Sequence, residues 1–98
     1  MAARKPETAR TFQFRGKTYE VDVAAAHSMR IQRDIQLIGE PGRARAGWDS
    51  YDTLFCHRLG EYLDGMPAAD GSAQPYGCTD EDFVEFVRAA GEAVSAKN

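Results

Sequence analysis

The stretch that decides the N-terminal architecture is Thr11-Phe12-Gln13-Phe14-Arg15-Gly16-Lys17-Thr18-Tyr19-Glu20-Val21. Large apolar residues alternate with polar ones on both sides of Arg15-Gly16, which is the period of a half-buried β-strand. If Arg15 and Gly16 form a two-residue turn, Phe12 faces Tyr19 and the large apolar side chains share one face. A three-residue loop would slip the register by one and split them between two faces. The pattern therefore predicts a β-hairpin closed by Arg15-Gly16.

The rest of the chain has the spacing of helices. A lone hairpin is marginal in water, so its aromatic face has to pack on other elements. Apolar residues recur at helical spacing in three later stretches, each preceded by a residue type that caps helices. The predicted helices are residues 24–38 after Asp22, residues 49–63 from Asp49, and a third that opens at Thr79 and ends near Ser95. Segments rich in glycine, proline and alanine, residues 39–47 and 66–78, separate them as loops. The sequence predicts an α+β fold, β-β-α-α-α, in which the hairpin packs on a three-helix core.

Length and charge limit the class of protein. The chain has 98 residues, 43% of them hydrophobic, and a net charge of −3. This size suits a single domain, assigned to residues 11–98, and residues 1–10 lack periodicity and are expected to form a flexible arm. Nothing in the sequence resembles a signal peptide or a spanning helix, so we expect a soluble cytoplasmic protein. The acidic balance argues against nucleic acid as a partner, since a phosphate backbone is bound through basic faces.

No pattern in the sequence predicts a catalytic centre, a cofactor site or a metal site. Cys56 and His57 are adjacent, but neighbours on a helix point about 100° apart, so we interpret Cys56 as a packed small residue and His57 as a surface one. The spacing of the cysteines and histidines matches no structural zinc site. Residues 80–82 are acidic and suit the positive end of a helix dipole. Cys56 and Cys78 are expected to be reduced thiols, with a disulfide between them as the alternative.

Candidate partner-binding residues are the aromatic and flexible apolar side chains in or beside the loops. Trp48 follows the first loop, where it either staples back onto its own helix or anchors a partner. The residues predicted for a partner surface are Trp48, Tyr51, Met66 and Tyr76.

The hairpin stretch resembles the start of small phage and prophage tail proteins, in particular tail assembly chaperones of long-tailed phages. The similarity lies in the pattern Phe12-x-Phe14-x-Gly16-Lys17-x-Tyr19, followed by acidic, helical sequence. It covers about a tenth of the chain. The resemblance implies a non-enzymatic protein in the host cytoplasm that binds the tape measure protein and helps recruit the tail-tube subunit. It assigns no binding residue, and it leaves both a monomer and a homo-oligomer open.

The alternative function is a small phage-borne, DNA-associated regulator that uses the second or third helix for recognition. Arg43 and Arg45, with Arg30 and Arg33, are separate candidates for a basic patch. These arginines have no aromatic residues between them, whereas single-strand binders combine basic grooves with stacking rings. We therefore interpret them as a solvated surface, and the sequence favours the protein-binding function.

Overall fold

A computed structural model describes residues 7–96 and has an α+β fold in which a β-hairpin packs on helices. The elements, in chain order, are β1 (Ala9–Phe14), β2 (Lys17–Asp22), α1 (Val23–Ala26), α2 (Met29–Gln36), α3 (Ala44–Leu54), α4 (Leu59–Gly65) and α5 (Asp80–Ser95). The predicted fold class is confirmed. Two of the three predicted helices are each divided in two.

The hairpin has the predicted register. Phe12 pairs with Tyr19, and Arg15 and Gly16 are the two turn residues. Both turn residues have positive φ, 52° and 78°, which is the backbone of the turn type that matches the right-handed twist of two-residue hairpins. Phe12, Tyr19 and Val21 are buried on the shared face. The sequence pattern selected the correct turn because only this register puts the large side chains together.

The core is a cluster of aromatic rings centred on Phe86 of α5. Phe86 is fully buried. Its ring lies 5.4 Å from Phe12 and 4.9 Å from Tyr19 of the hairpin. It also lies 4.8 Å from Phe55, the C-cap residue of α3, and 6.0 Å from Tyr62 of α4. Such offset and edge-on pairs add to the stabilisation from burial itself. The hairpin, α3, α4 and α5 are therefore joined through one residue.

The predicted helix over residues 24–38 is interrupted after its first turn. Asp22 caps α1 as expected, accepting hydrogen bonds from the main-chain N–H of Ala24 and Ala25. Ser28 then caps α2 by accepting from the N–H of Ile31. Ser28 belongs to the stripe that was assigned to one continuous helix, but its hydroxyl starts a new helix there instead.

The second predicted helix begins earlier than expected and also breaks. α3 starts at Ala44, so Asp49 is an internal helical residue and not the N-cap. Gly47 was assigned to a loop, but it lies buried where α3 crosses α2, and an added Cβ would approach Ile38 Cγ1 to 2.5 Å. α3 ends at Leu54, and residues 55–58 turn the chain into α4.

The third predicted helix is confirmed. Thr79 is its N-cap, and the side chain of Asp82 returns a hydrogen bond to the Thr79 N–H, which completes a capping box. The predicted loop between Met66 and Cys78 contains no helix or strand.

The predicted N-terminal arm overlaps the first strand. β1 begins at Ala9, and Thr8 accepts a main-chain hydrogen bond from Val23, so residues 8–10 belong to the folded unit. Residues 1–6 of the predicted arm lie outside the described residues. Between residues 7 and 96, no helix has the length and apolar character needed to cross a membrane.

Candidate functional site

An apolar groove, with a volume of about 290 Å³, lies between α2 and α5. Most of its lining side chains are aliphatic or small; they include Ile31, Ile35, Leu54, Val87, Gly91 and Val94. The break between α1 and α2 turns α2 so that Ile31 and Ile35, one helical turn apart, face α5 across a gap. The groove can therefore accept apolar side chains without first unfolding any part of the protein.

Small residues make the groove deep along α5. Ala90 and Gly91 both line it, and Ala26 lies on the opposite wall. A Cβ added at Gly91 would meet no heavy atom within 4 Å, so the space above this glycine is open. A side chain from another molecule can thus approach the α5 main chain at this point.

An aromatic cluster lies at the α3 side of α5. The ring of Trp48 is 5.7 Å from Tyr51 and 5.8 Å from Phe83, and Tyr51 and Phe83 are 4.9 Å apart. Trp48 is 44% exposed in spite of these contacts. Phe83 and Val87 are one helical turn apart on α5, so the aromatic cluster continues the apolar surface of the groove.

The structure brings together two of the four residues predicted for the partner surface. Trp48 and Tyr51 are in ring contact, although Trp48 lies within α3 and not in front of a helix, so it does not form the predicted N-terminal staple. Met66 is only 1% exposed and belongs to the core, which corrects its assignment to a surface. Tyr76 is 99% exposed on the loop before α5, and it makes no ring contact with the aromatic cluster.

Sequence reasoning missed the α5 side of the groove. Phe83, Val87 and Val94 recur at helical spacing in the third predicted helix, which is typical of a core-facing stripe, yet they are only half-buried. Val84 is 57% exposed beside them. The sequence does contain a signal for this surface, which is the width of the apolar face of α5. With Val84 and Gly91 included, this face is wider than a helix needs in order to pack against a core on one side.

A second hollow, about 310 Å³ in volume, lies between β2 and α4, and its charged groups are already engaged. Arg58 donates to Glu20 Oε1 at 3.1 Å and to Glu61 Oε1 at 2.6 Å. The hydrogen bond from Arg58 lowers the pKa of the Glu61 carboxyl. Lys17 Nζ donates to the Gly65 carbonyl at 2.9 Å. These contacts hold the hairpin against α4.

The two cysteines are free thiols in partly or fully buried positions. Burial raises the pKa of the Cys78 thiol, so Cys78 is not a thiolate at neutral pH. Cys56 is buried, and no disulfide joins the two cysteines. His57 is an exposed surface residue, as expected, but it lies in the turn after α3 with its Nδ1 3.4 Å from Asp52 Oδ2. The part of the chain that the structure describes contains no group of three or more His, Cys, Asp or Glu able to hold a metal ion.

The four arginines considered for a basic patch are all exposed, on α2 and around the start of α3. Arg33 donates to the carboxylate of Asp34 at 3.2 Å. The exposed Asp49 lies on α3, four residues after Arg45. This surface therefore carries charges of both signs.

Comparison of the chain with protein-family models, with curated proteins and with solved structures finds no match.

Proposed function

We propose that this protein is a non-enzymatic protein-binding module of the phage tail assembly chaperone type. Its partner in this proposal is an apolar helical segment of the tape measure protein, which it binds in the host cytoplasm before the tail is built. The observation that carries the proposal is the apolar groove between α2 and α5. The similarity of the hairpin pattern around Gly16-Lys17 to those proteins supplies the name of the partner.

The groove suits a helix more than an extended peptide. An extended peptide gains much of its affinity from main-chain hydrogen bonds to a strand edge, whereas a helix in a groove is held by apolar anchors spaced along one face. Ile31, Ile35, Val87 and Val94 offer aliphatic side chains on both walls, and the opening at Gly91 accepts an anchor from above.

Trp48 adds an anchor beside the groove. Tryptophan is among the residue types enriched where truncation costs most binding energy. The Tyr51 and Phe83 rings fix one side of Trp48 while its other side stays open to solvent. A partner helix that covered both the groove and Trp48 would remove a continuous apolar surface from water.

The experiment is co-expression with the tape measure protein encoded in the same genome. We expect the tape measure protein to become soluble and to co-purify with this protein. Gly91→Glu should abolish co-purification, because it places a charged side chain in the groove without a clash within the fold.

Gly60→Glu is the matched control. Gly60 is an exposed helical glycine on α4, outside the groove, and its added Cβ also meets nothing within 4 Å. It should leave the complex intact, and circular dichroism should show both variants folded. Trp48 is the single tryptophan, so its emission should shift to the blue on binding of the wild type. Absence of co-purification with the wild type, or equal loss in both variants, would reject the proposal.

A further inference from the structure

The two edges of the hairpin sheet differ in how far other parts of the fold cover them. On the β2 edge, the N–H of Glu20 points outward and donates to the hydroxyl of Tyr62 at 3.0 Å. Arg58, the N-cap residue of α4, and Gly65 at its end extend this cover along the same strand, through contacts to Glu20 and Lys17. This edge is closed by α4.

Among residues 7–96, no such hydrogen bonds cover the β1 edge. Thr11 lies opposite Glu20, so the main-chain groups of Thr11 point out of the sheet on the other side. The same alternation turns the N–H and C=O of Ala9 and Gln13 outward. Outside the β1–β2 ladder, no hydrogen bond among residues 7–96 reaches the main chain of these three residues.

Open strand edges in natural proteins are usually protected by proline, by a bulge or by charged side chains. β1 contains no proline, and its pairing with β2 runs without a bulge from Ala9 to Phe14. The outer-face side chains of Ala9, Thr11 and Gln13 are uncharged, and Thr11 and Gln13 are exposed. Within the part of the chain that the structure describes, this edge therefore has none of these three protections.

We propose that a second copy of this chain pairs with the β1 edge, antiparallel and about a two-fold axis at Thr11, to form a four-stranded sheet. In this register Thr11 faces Thr11 of the second copy, and Ala9 faces Gln13 of the second copy. The pairing satisfies about six main-chain hydrogen bonds and uses all of the outward groups of the strand. It is independent of the groove and of its proposed partner.

The second copy is the occupant that this edge fits best. The outer-face row Ala9, Thr11 and Gln13 is self-complementary under the two-fold: it places no like charges opposite each other, and a Thr–Thr pair is favourable across strands. A four-stranded sheet is also a common size, whereas two strands are a minimal sheet.

The side chain of Arg10 does not obstruct this pairing. Its guanidinium donates to the carbonyl of Ala93 at 2.7 Å and to that of Ala96 at 3.2 Å, at the end of α5. These contacts hold Arg10 on the core face of the sheet, away from the outer row. They also fix β1 against α5, so the edge is presented in an ordered form.

The experiment is sedimentation equilibrium of the full chain over a concentration series, with variants at Thr11. We expect a monomer–dimer equilibrium for the wild type. Thr11→Lys and Thr11→Glu should each raise the dimer dissociation constant at least about tenfold, because each puts two like charges together at the two-fold axis. An equimolar mixture of the two variants should restore the dimer.

The control is Thr18→Lys, which places the same charge on the same outer face but on β2, away from the proposed axis. It should dimerise as the wild type does. A wild type that stays monomeric at millimolar concentration would overturn the proposal. So would a dimer that Thr11→Lys leaves unchanged, or a mixture of the two charged variants that does not pair. Circular dichroism confirms that each variant is folded, so a lost dimer cannot be mistaken for a lost fold.

Discussion

Arg15 and Asp82 lie 67 residues apart in sequence, and Arg15 Nη1 donates to Asp82 Oδ1 at 2.8 Å. The same guanidinium donates to Glu85 at 2.5 Å and to the carbonyl of Pro67 at 3.0 Å. One side chain at the tip of the hairpin therefore holds the start of α5 and the loop before it. Because the left-handed backbone at Arg15 directs this side chain, the turn type and the position of α5 depend on each other.

Replacing Arg15 by lysine should show how much of the stabilisation comes from the positive charge and how much from the shape of the guanidinium group. Lysine keeps the positive charge but cannot present the planar fork that reaches Asp82, Glu85 and the Pro67 carbonyl together. We expect Arg15→Lys to lower the free energy of unfolding by about 1–2 kcal/mol, measured by urea denaturation. Lys17→Arg, two residues away, is the control and should change stability little, since its single contact is to a main-chain carbonyl.

The carboxylate of Asp82 should make the free energy of unfolding depend on pH in the acidic range. Hydrogen bonds from the Thr79 main chain and then from Arg15 hold the pKa of the Asp82 carboxyl well below its usual range. A lowered folded-state pKa stabilises the fold above the usual carboxyl pKa near 4, and this stabilisation is lost as the pH falls towards the folded-state pKa. We expect Asp82→Asn to cost about 1–2 kcal/mol at pH 7, and to cost progressively less below about pH 4.

The measurement for Asp82 is urea denaturation of wild type and variant at several pH values between 7 and 2. Asp80→Asn is the matched control, since it removes a charge from the same helical turn without touching Arg15. Its effect should be smaller and should not follow the same decline. A deficit of Asp82→Asn that is equal at pH 7 and at pH 2 contradicts this role for the carboxylate.

The hairpin and the start of α5 could be predicted from the sequence because their determinants are local. The register of Phe12 with Tyr19 follows from side-chain alternation and a two-residue turn, and Thr79 caps a helix within three residues of its partner. The breaks in the first two predicted helices could not be predicted in the same way. Neither Ser28 nor Cys56 is a residue type that forces a helix to end, so residue type alone does not predict the interruption at either position.

The candidate site was predicted only in part for a similar reason. Trp48 and Tyr51 stood out as aromatic residues near a loop, and the structure puts them in contact. The groove forms because α2 and α5 lie side by side. These helices are far apart in the sequence, so no local sequence pattern predicts that they are neighbours. Met66 was misplaced because its neighbours are loop-forming residues, while its own side chain is buried in the core.

The close crossing of α2 and α3 predicts opposite effects for two glycine substitutions. At Gly47 an added Cβ would lie 2.5 Å from Ile38 Cγ1 and 2.9 Å from the Asp34 carbonyl oxygen. We expect Gly47→Ala to destabilise the fold by about 1–3 kcal/mol, because the helices must separate. Gly60→Ala meets no atom and should stabilise by about 0.5–1 kcal/mol through helix propensity. Thermal and urea denaturation compare the two, and a gain in stability for Gly47→Ala would show that the helices are not packed this closely.

The turn between α3 and α4 should contain removable backbone strain. Cys56 and His57 have φ values of 60° and 62°, in the left-handed region that costs a non-glycine residue about 1–2 kcal/mol. The turn is kept because the His57 N–H donates to the Asp52 carbonyl at 2.7 Å and because Phe55, beside it, is fully buried. We expect His57→Gly to raise the free energy of unfolding by about 0.5–1 kcal/mol, since glycine adopts this conformation readily. His57→Ala removes the same imidazole, and with it the exposed contact to Asp52, without relieving the backbone. In urea denaturation, His57→Ala should therefore leave the free energy of unfolding unchanged or lower it. Equal stability of the glycine and alanine variants would show that the backbone at His57 is not strained.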